Sequence, residues 1–303
     1  MLLSKAVEGY FYDKSTIYSE STLESYHYVF KLLIAHIGDQ EISEVQPNQL
    51  KAFLVWLKQD YVPNRFNGDT SPLSPAGVDL HWKGIRSLFK WAYQTLDVVR
   101  PDLDLPRPHY DRPQVKSFSE DEVRRLLKAS DQRIPTARRN KALILFLLDT
   151  GLRLGEALRI KMQDINFENG EILVAPYGTG RKTKPRMVFV GNTAKRALWL
   201  YVARIDDARP ADRLFPMSKV AVRIMLKRLS VRSGVADVYP HRFRHSFAIW
   251  FLRGGGDVFT LQRMLGHSTL EMVNYYLDIA QSDIAIAHKR ASAVDRWNAN
   301  QPL

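Results

Sequence analysis

Apolar residues in the first hundred positions recur at helical spacing in four stretches. The clearest stripe runs through residues 76–96, where recurrence every three to four positions puts the apolar side chains on one face of a helix. Its members are Val78, Trp82, Ile85, Phe89, Tyr93 and Leu96. Ser74 and Pro75 stand before it as N-cap and first-turn proline. With shorter patterns at residues 4–13, 21–37 and 49–57, a small four-helix domain is predicted for residues 1–99.

A proline-rich segment, residues 100–117, follows these patterns. It holds four prolines, and because proline fixes φ and lacks an N–H group, this density favours an extended tether. Helical signals return at once, since Ser119 and Glu122 have the spacing of a capping box. A second folded domain is therefore predicted over residues 118–303.

The pattern of the second domain predicts a mainly α fold with a small antiparallel β-sheet. The apolar run at residues 142–148 indicates a buried helix that ends at Gly151, and LRLGEALRI is predicted to continue as another helix. EILVAP and RMVFV predict two short strands, joined by a turn rich in glycine and lysine. They would form a hairpin or part of a three-stranded sheet. Amphipathic helices are predicted at residues 193–205 and 218–231, followed by shorter ones.

Composition narrows the class of protein. A chain of 303 residues has room for about two domains. It contains no cysteine, which excludes disulfides, thiol catalysis and thiolate metal sites. The first ten residues lack the apolar core of a signal peptide, and the apolar run at residues 142–148 is too short to cross a bilayer. We expect a cytoplasmic protein without a membrane partner.

Basic residues concentrate in the second domain. Residues 1–117 hold 13 Lys and Arg against 14 Asp and Glu, whereas residues 118–303 hold 31 against 18. This excess of positive charge favours a polyanionic partner for the second domain. A merely basic surface is the alternative, and charge alone does not separate DNA from RNA or from a membrane surface.

The segment 241–276 gathers side chains that suit phosphoryl chemistry. His241 and Arg244 are three residues apart, so on a helix they can face one phosphate. Tyr276 follows His267 by nine residues, and cationic donors near such a hydroxyl could stabilise an attack on phosphorus. Two plainer interpretations compete. Tyr276 falls beside an apolar line, a pattern that alone predicts core packing. His241 and His245 have the spacing of a zinc pair, but no glutamate follows the first histidine.

Four motifs occur in an order and spacing that resemble the tyrosine site-specific recombinases of the phage integrase family. They are TGLRLGEAL, GRKTKPRMV, HRFRHSFA and LGHSTLEMVNYY. The tail DIAIAHKRASAVDRW resembles that of Xer-like members. The resemblance covers nearly the whole chain and implies a helical core-binding (SAM-like) domain over 1–99, a linker over 100–117 and a catalytic domain over 118–303, with a C-terminal tail over 281–303.

The resemblance implies a role for each catalytic side chain. Arg153 and Arg244 would clamp the scissile phosphate with their planar guanidinium groups. His241 would bind the phosphate and assist proton transfer at the nucleophile, and His267 would donate to a phosphate oxygen. Tyr276 would attack phosphorus, forming a 3′-phosphotyrosyl bond and releasing a 5′-hydroxyl. Glu156 would brace the site by pairing with a catalytic group, and Tyr275, at a different distance from His267, would be a neighbour only.

The family's hairpin lysine, which protonates the leaving 5′-oxygen, has no direct counterpart in this sequence. Counting back from Arg186 reaches Arg181 instead of a lysine. Lys182 is the first choice for this role and Lys184 the second. A basic turn that only touches the DNA backbone is the alternative for both.

The resemblance implies a recombinase or integrase that needs no metal or nucleotide cofactor. Four protomers would assemble on double-stranded DNA and exchange strands through a Holliday junction, with the tail docked on a neighbouring protomer. Packing of the tail on its own domain is the competing interpretation, and a contribution from accessory DNA-binding proteins stays open. Two other functions remain: a type IB topoisomerase, which has the same chemistry, and a non-catalytic DNA-binding regulator.

Overall fold

The computed structural model describes residues 1–64, 69–109, 115–131, 136–176, 185–266, 270–280, 288 and 292. The chain divides into two compact units, Met1–Pro113 and Gln114–Leu303. None of the helices in the described ranges is long and apolar enough to cross a membrane.

The first unit consists of four helices, as the apolar pattern predicts. They are α1 (Leu3–Lys14), α2 (Glu20–Ile37), α3 (Pro47–Gln59) and α4 (Pro75–Leu96). Helix α4 contacts the other three, and aromatic side chains fill the space between them, including Tyr10, Phe30, Phe53 and Phe89. The side chain of Ser74 caps α4 by accepting a hydrogen bond from the N–H of Gly77.

The first half of the proline-rich segment packs onto this unit. The side chain of Leu105 is buried, and its carbonyl accepts a hydrogen bond of 3.0 Å from the indole of Trp82. Asp102 is buried and pairs with Arg100. The segment predicted as an extended tether therefore begins as part of the first unit, because Leu105 supplies apolar surface that α4 buries.

The second unit is mainly helical and contains a two-stranded sheet in the ranges described. Its helices are α5 (Glu120–Ser130), α6 (Ala137–Thr150), α7 (Leu154–Ala157), α8 (Asn192–Val202), α9 (Lys219–Ser233), α10 (Pro240–Arg253), α11 (Val258–Leu265) and α12 (Glu271–Ala280). Its strands are β1 (Glu171–Val174) and β2 (Arg186–Phe189). Helix α6 lies between α8 and α10 and carries much of the buried apolar surface.

The two strands pair antiparallel, from Glu171 opposite Phe189 to Val174 opposite Arg186. This agrees with the predicted hairpin, whose turn at residues 177–184 lies outside the described residues.

The helix predicted over LRLGEALRI is wrong in length, because only the single turn α7 forms. Beyond it the backbone pairs with a distant segment: the carbonyl of Ile160 accepts from the N–H of Leu214 at 2.8 Å, and Lys161 forms a bridge with Arg213. These long-range hydrogen bonds replace the local ones that would continue a helix.

Candidate active site

Helix α10 carries three polar side chains of the site on one face. His241, Arg244 and His245 stand at positions i, i+3 and i+4, which are neighbours on a helical surface. Pro240 occupies the first turn, where its missing N–H costs no helical hydrogen bond. Phe243 points into the core, with its ring centroid 4.8 Å from that of Phe118. The buried face of α10 thus anchors the helix and fixes the direction of its polar face.

Arg244 is almost fully buried and is held by two backbone carbonyls. One terminal nitrogen of its guanidinium donates to the carbonyl of Gly151 and the other to the carbonyl of Leu265, both at 2.8 Å. Burial and the neighbouring charge of Arg153 lower the pKa of Arg244, to about 9. The group remains a cation at neutral pH, and the two hydrogen bonds fix its plane. A rigid buried cation of this kind is suited to hold an anion.

Arg153 precedes α7 and lies close to Glu156. Its backbone N–H donates to the Glu156 carboxylate at 2.9 Å, and its guanidinium approaches the same carboxylate at 3.4 Å. In contrast to Arg244, the side chain of Arg153 is 38% exposed. The guanidinium of Arg153 is therefore exposed at the surface of the site, while the hydrogen bond to Glu156 fixes its backbone.

Glu156 forms its principal ion pair with Arg186, the first residue of β2. The contacts measure 2.8 and 3.2 Å, and both side chains are buried. Burial alone would raise the pKa of Glu156, but hydrogen bonds and charge from Arg186, with help from Arg153, hold it below its usual range. Arg186 also donates to the carbonyl of Met264 at 2.8 Å. The pair thus joins α7, β2 and the end of α11.

The C-terminus of α11 receives hydrogen bonds from two arginines. Arg186 donates to the carbonyl of Met264, and Arg244 to that of Leu265. The last carbonyls of a helix have no partner within the helix and carry the negative end of its dipole, so guanidinium donors stabilise them. This contact fixes the chain immediately before His267, which itself lies outside the described residues.

Tyr276 extends from α12 into the site and is 1% exposed. Its hydroxyl group lies 2.8 Å from Nδ1 of His245. Burial raises the pKa of Tyr276, and the nearby charges of Arg244 and Arg153 oppose that rise. The phenol is therefore protonated at neutral pH but lies within the electrostatic reach of both arginines, which favour its anion.

Both histidines of α10 are neutral at pH 7. Burial, with the charges of His241 and Arg244, lowers the pKa of His245 to about 4. Desolvation and the charges of Arg244, Arg153 and Arg223 lower the pKa of His241. Arg223 belongs to α9, so a third element adds positive charge to the site.

The structure brings together four of the six predicted catalytic residues: Arg153, His241, Arg244 and Tyr276. Lys182 and His267 lie outside the described residues, as does Lys184. For the neighbouring tyrosine, Tyr275, the hydroxyl accepts a hydrogen bond from the backbone N–H of Val115 at 3.2 Å.

The sequence patterns did not identify two residues of the site, His245 and Arg186. The signal for His245 was present, because it stands four residues after His241 on the same helical face, but that spacing was considered only for zinc. The pairing of Arg186 with Glu156 had no sequence signal, since the two residues are 30 positions apart.

The chain matches the model of the phage integrase family over residues 116–283. Among curated relatives, the tyrosine recombinase XerA of Saccharolobus solfataricus is 32% identical over 207 residues, which cover 68% of this chain and 65% of that protein. XerD of Chlorobaculum tepidum is 29% identical over 80% of this chain and 87% of its own length. XerC of Xanthomonas axonopodis pv. citri is 31% identical over 72% and 74%.

Solved structures with the same fold include two integrases bound to DNA. The Tn1549 transposon integrase in complex with transposon right end DNA gives a TM-score of 0.76 at 19% identity, covering 97% of this chain and 100% of that chain. A lambda integrase dimer bound to a COC′ core site gives 0.71 at 16% identity, covering 91% and 77%. On the strength of the family match and its relatives, the chain belongs to the phage integrase family and is a tyrosine recombinase, an enzyme that transfers DNA strands.

Proposed function

We propose that this recombinase cleaves and rejoins DNA at specific sites through a covalent bond between Tyr276 and a 3′-phosphate. The observation that carries the proposal is the position of the Tyr276 hydroxyl, which is buried within the electrostatic reach of Arg153 and Arg244. Two guanidinium groups within that reach favour the phenolate form of Tyr276 and would bind the anionic phosphate that it attacks.

In this mechanism the two arginines bind the scissile phosphate. Arg244 supplies a fixed, buried guanidinium, and Arg153 supplies a more exposed one that the phosphate meets first. As Tyr276 attacks, negative charge grows on the non-bridging oxygens, and donors already in place stabilise it without reorganisation. The charge brought by the phosphate also relieves the repulsion between the arginines.

Two proton transfers accompany the attack. Tyr276 passes its proton to His241 as its oxygen bonds to phosphorus, and the 5′-oxygen gains a proton as its bond to phosphorus breaks. We assign the second proton to Lys182, with Lys184 as the alternative, and a phosphate contact to His267. The released 5′-hydroxyl, or that of a partner strand, attacks the phosphotyrosyl bond and reseals the DNA. No metal or nucleotide takes part.

The substrate we propose is double-stranded DNA, bound mainly by the basic second unit in the cytoplasm. Four protomers on two sites would exchange strands through a Holliday junction. Support comes from the relatives, which are tyrosine recombinases, and from the integrases of similar fold that were solved in complex with DNA. The excess of 31 basic over 18 acidic residues in the second domain suits a polyanion.

Covalent capture tests the proposal. Nicked duplexes of random sequence are incubated with the protein, and DNA retained on it through a denaturing gel is sequenced to define the site. On that site, Tyr276→Phe is expected to form no adduct while keeping its DNA affinity. Tyr275→Phe, which also removes one phenolic oxygen, is the matched control and should form the adduct. A covalent adduct of Tyr276→Phe with DNA that survives the denaturing gel would contradict the assignment.

A substrate with sulfur in place of the scissile 5′-oxygen tests the leaving-group acid, because a thiolate leaves without a proton. Lys182→Ala is expected to cleave normal DNA slowly and the sulfur substrate at nearly the wild-type rate. Rescue of Lys184→Ala instead would move the role to that residue. If sulfur rescued neither variant, the hairpin lysines would have no part in protonating the leaving group.

A further inference from the structure

His245 lies next to Arg244 on α10 and contacts the reacting oxygen directly. Its Nδ1 is 2.8 Å from the Tyr276 hydroxyl, and the two ring centroids are 5.6 Å apart. The mechanism proposed above gives His245 no task. The contact joins residues 31 positions apart and depends on the packing of α12 against α10.

The surroundings of the Tyr276 ring are apolar. Its cluster includes the buried residues Phe247, Ala248, Ile249, Leu261, Leu265 and Val273. A buried hydroxyl without a partner costs about 1–3 kcal/mol, so the imidazole of His245 determines where this hydroxyl points. Without it, the phenol has a reason to rotate or shift toward another hydrogen-bond partner.

The surroundings of the pair keep both side chains neutral. The ring of His241 lies 6.2 Å from that of His245 by centroid separation, and burial together with the charge of Arg244 disfavours an imidazolium cation at His245. The phenol keeps its proton. A neutral His245 with its proton on Nε2 has Nδ1 free to accept, and this tautomer gives the proton of the buried Tyr276 hydroxyl an acceptor 2.8 Å away.

We propose that His245 is a positioning residue for the nucleophile: by accepting a hydrogen bond from the Tyr276 hydroxyl, it holds that oxygen at the phosphate clamp before DNA arrives. This inference rests on the proposed function of Tyr276. It assigns His245 no bond making or breaking, and it separates His245 from His241, which acts on the phosphate and the proton.

The test compares variants that keep or lose an acceptor at the Nδ1 position. His245→Asn places an amide oxygen near Nδ1, His245→Gln places its amide near Nε2 instead, and His245→Phe keeps a ring without an acceptor. Single-turnover cleavage is measured at saturating DNA on the site defined by covalent capture, together with DNA affinity. The normal substrate and the 5′-sulfur substrate are both used.

We expect loss of the acceptor to slow the attack by Tyr276 without weakening DNA binding or impairing protonation of the leaving group. His245→Phe should cleave about 10²-fold more slowly, the scale of loss for a reacting group displaced by about 1 Å, with DNA affinity changed less than about threefold and no rescue by sulfur. His245→Asn should stay within about tenfold of the wild-type rate. If His245→Phe does not fold, His245→Asn should still be faster than His245→Gln.

Several outcomes would overturn the inference. One is cleavage by His245→Phe at the wild-type rate, and another is rescue of that variant by the sulfur substrate. A third is an equal loss of cleavage rate in His245→Asn and His245→Phe with DNA binding intact, which would point to proton uptake by the imidazole. A His245→Gln variant faster than His245→Asn would also count against it. If wild-type protein captured no DNA at all, the proposed function would fail and this inference with it.

Discussion

At the scale of single residues, the two buried arginines of α10, Arg244 and Arg242, have different roles. Arg244 donates to the carbonyls of Gly151 and Leu265, and its charge favours the anion of Tyr276. Arg242 pairs with Glu122 at 2.8 Å and lies 4.0 Å above the ring of Phe118. The first holds a charge at the site, whereas the second fastens α10 to the start of α5.

Replacing each arginine by lysine should separate these roles. Arg244→Lys removes the planar fork that meets two carbonyls and a phosphate together, so cleavage should fall by about 10²–10³. Arg242→Lys should lower the midpoint of urea unfolding and leave single-turnover cleavage by the folded protein within about threefold. Equal loss of cleavage in both variants would mean that Arg244 acts through stability alone.

Glu156 gives a prediction on pH. Its pKa is lowered in the folded protein from an ordinary value of 4.5, so the stability that it adds is fully present above that value and is lost as the pH falls through the folded pKa. Glu156→Gln should cost roughly 3 kcal/mol at pH 7, because Arg186 loses the charge of its buried partner. The difference in urea unfolding should shrink as the pH falls below 4.5 and through the lowered pKa of Glu156.

The exposed pair of Glu120 and Arg124 provides the control for that experiment. Its side chains are 83% and 76% exposed, and pairs of this kind contribute about 0–1 kcal/mol. Glu120→Gln should therefore leave the unfolding midpoint nearly unchanged at both pH values. A similar response of the two variants would show that the carboxylate of Glu156 is not specially stabilised.

At this scale, the sequence predicts the arrangement of residues that are close together in the chain and not the contacts between distant ones. The spacing of His241, Arg244 and His245 fixes their common face, because helical geometry is local. The contacts of His245 with Tyr276 and of Arg186 with Glu156 join residues about thirty positions apart. They exist only once α10, α12 and β2 have packed, so no pattern in the chain marks them.

At the scale of elements, the loop between α6 and α7 depends on Gly151. This residue ends α6 at φ +61°, and a Cβ there would lie 2.2 Å from the ring of Phe247. The same residue gives its carbonyl to Arg244. The helix stop is therefore also a close contact between α6 and α10, and it positions Arg244, which belongs to the proposed phosphate clamp.

Substitution of Gly151 should damage stability and chemistry together. Gly151→Ala must combine a left-handed backbone, which costs about 1–2 kcal/mol, with displacement of the Phe247 ring. Gly234→Ala is the matched control, because Gly234 ends α9 at φ +64° and the atom nearest to its added Cβ lies 3.9 Å away. Calorimetric unfolding should show a much larger loss of stability for Gly151→Ala than for Gly234→Ala, and cleavage by Gly151→Ala should be slower. Equal losses of stability would mean that only the left-handed backbone contributes.

Element boundaries were predictable where local signals set them. Ser74 and Ser119 begin α4 and α5 as the capping patterns indicate, since an N-cap acts within one turn. Helix α7 was predicted too long, because the pairing of Lys161 with Arg213 competes with continuation of the helix. The strand pair was found from its apolar runs, and its exact register required the structure.

At the scale of the whole molecule, Tyr276, the proposed nucleophile, lies next to the segment proposed to join protomers. Helix α12 carries Tyr276 and ends at Ala280, and the tail 281–303 follows directly. Within α12, Val273 and Tyr276 are buried and Ile279 packs against the same cluster. The helix thus has its own attachment to the second unit before the tail begins, and ending the chain after Ala280 leaves that attachment in place.

The truncated chain should therefore bind a single half-site as the full chain does. In sequence the tail carries Ile284, Ala287, Ala291 and Val294 near helical spacing, and so short a helix needs a surface on which to bury its apolar side. If that surface belongs to a neighbouring protomer, loss of the tail removes cooperativity on paired half-sites and blocks strand exchange. Gel-shift titrations on one and two half-sites measure this, with full-length Tyr276→Phe as the control that should bind cooperatively without cleaving. Unchanged cooperativity and normal recombination in the truncated chain would place the tail on its own domain.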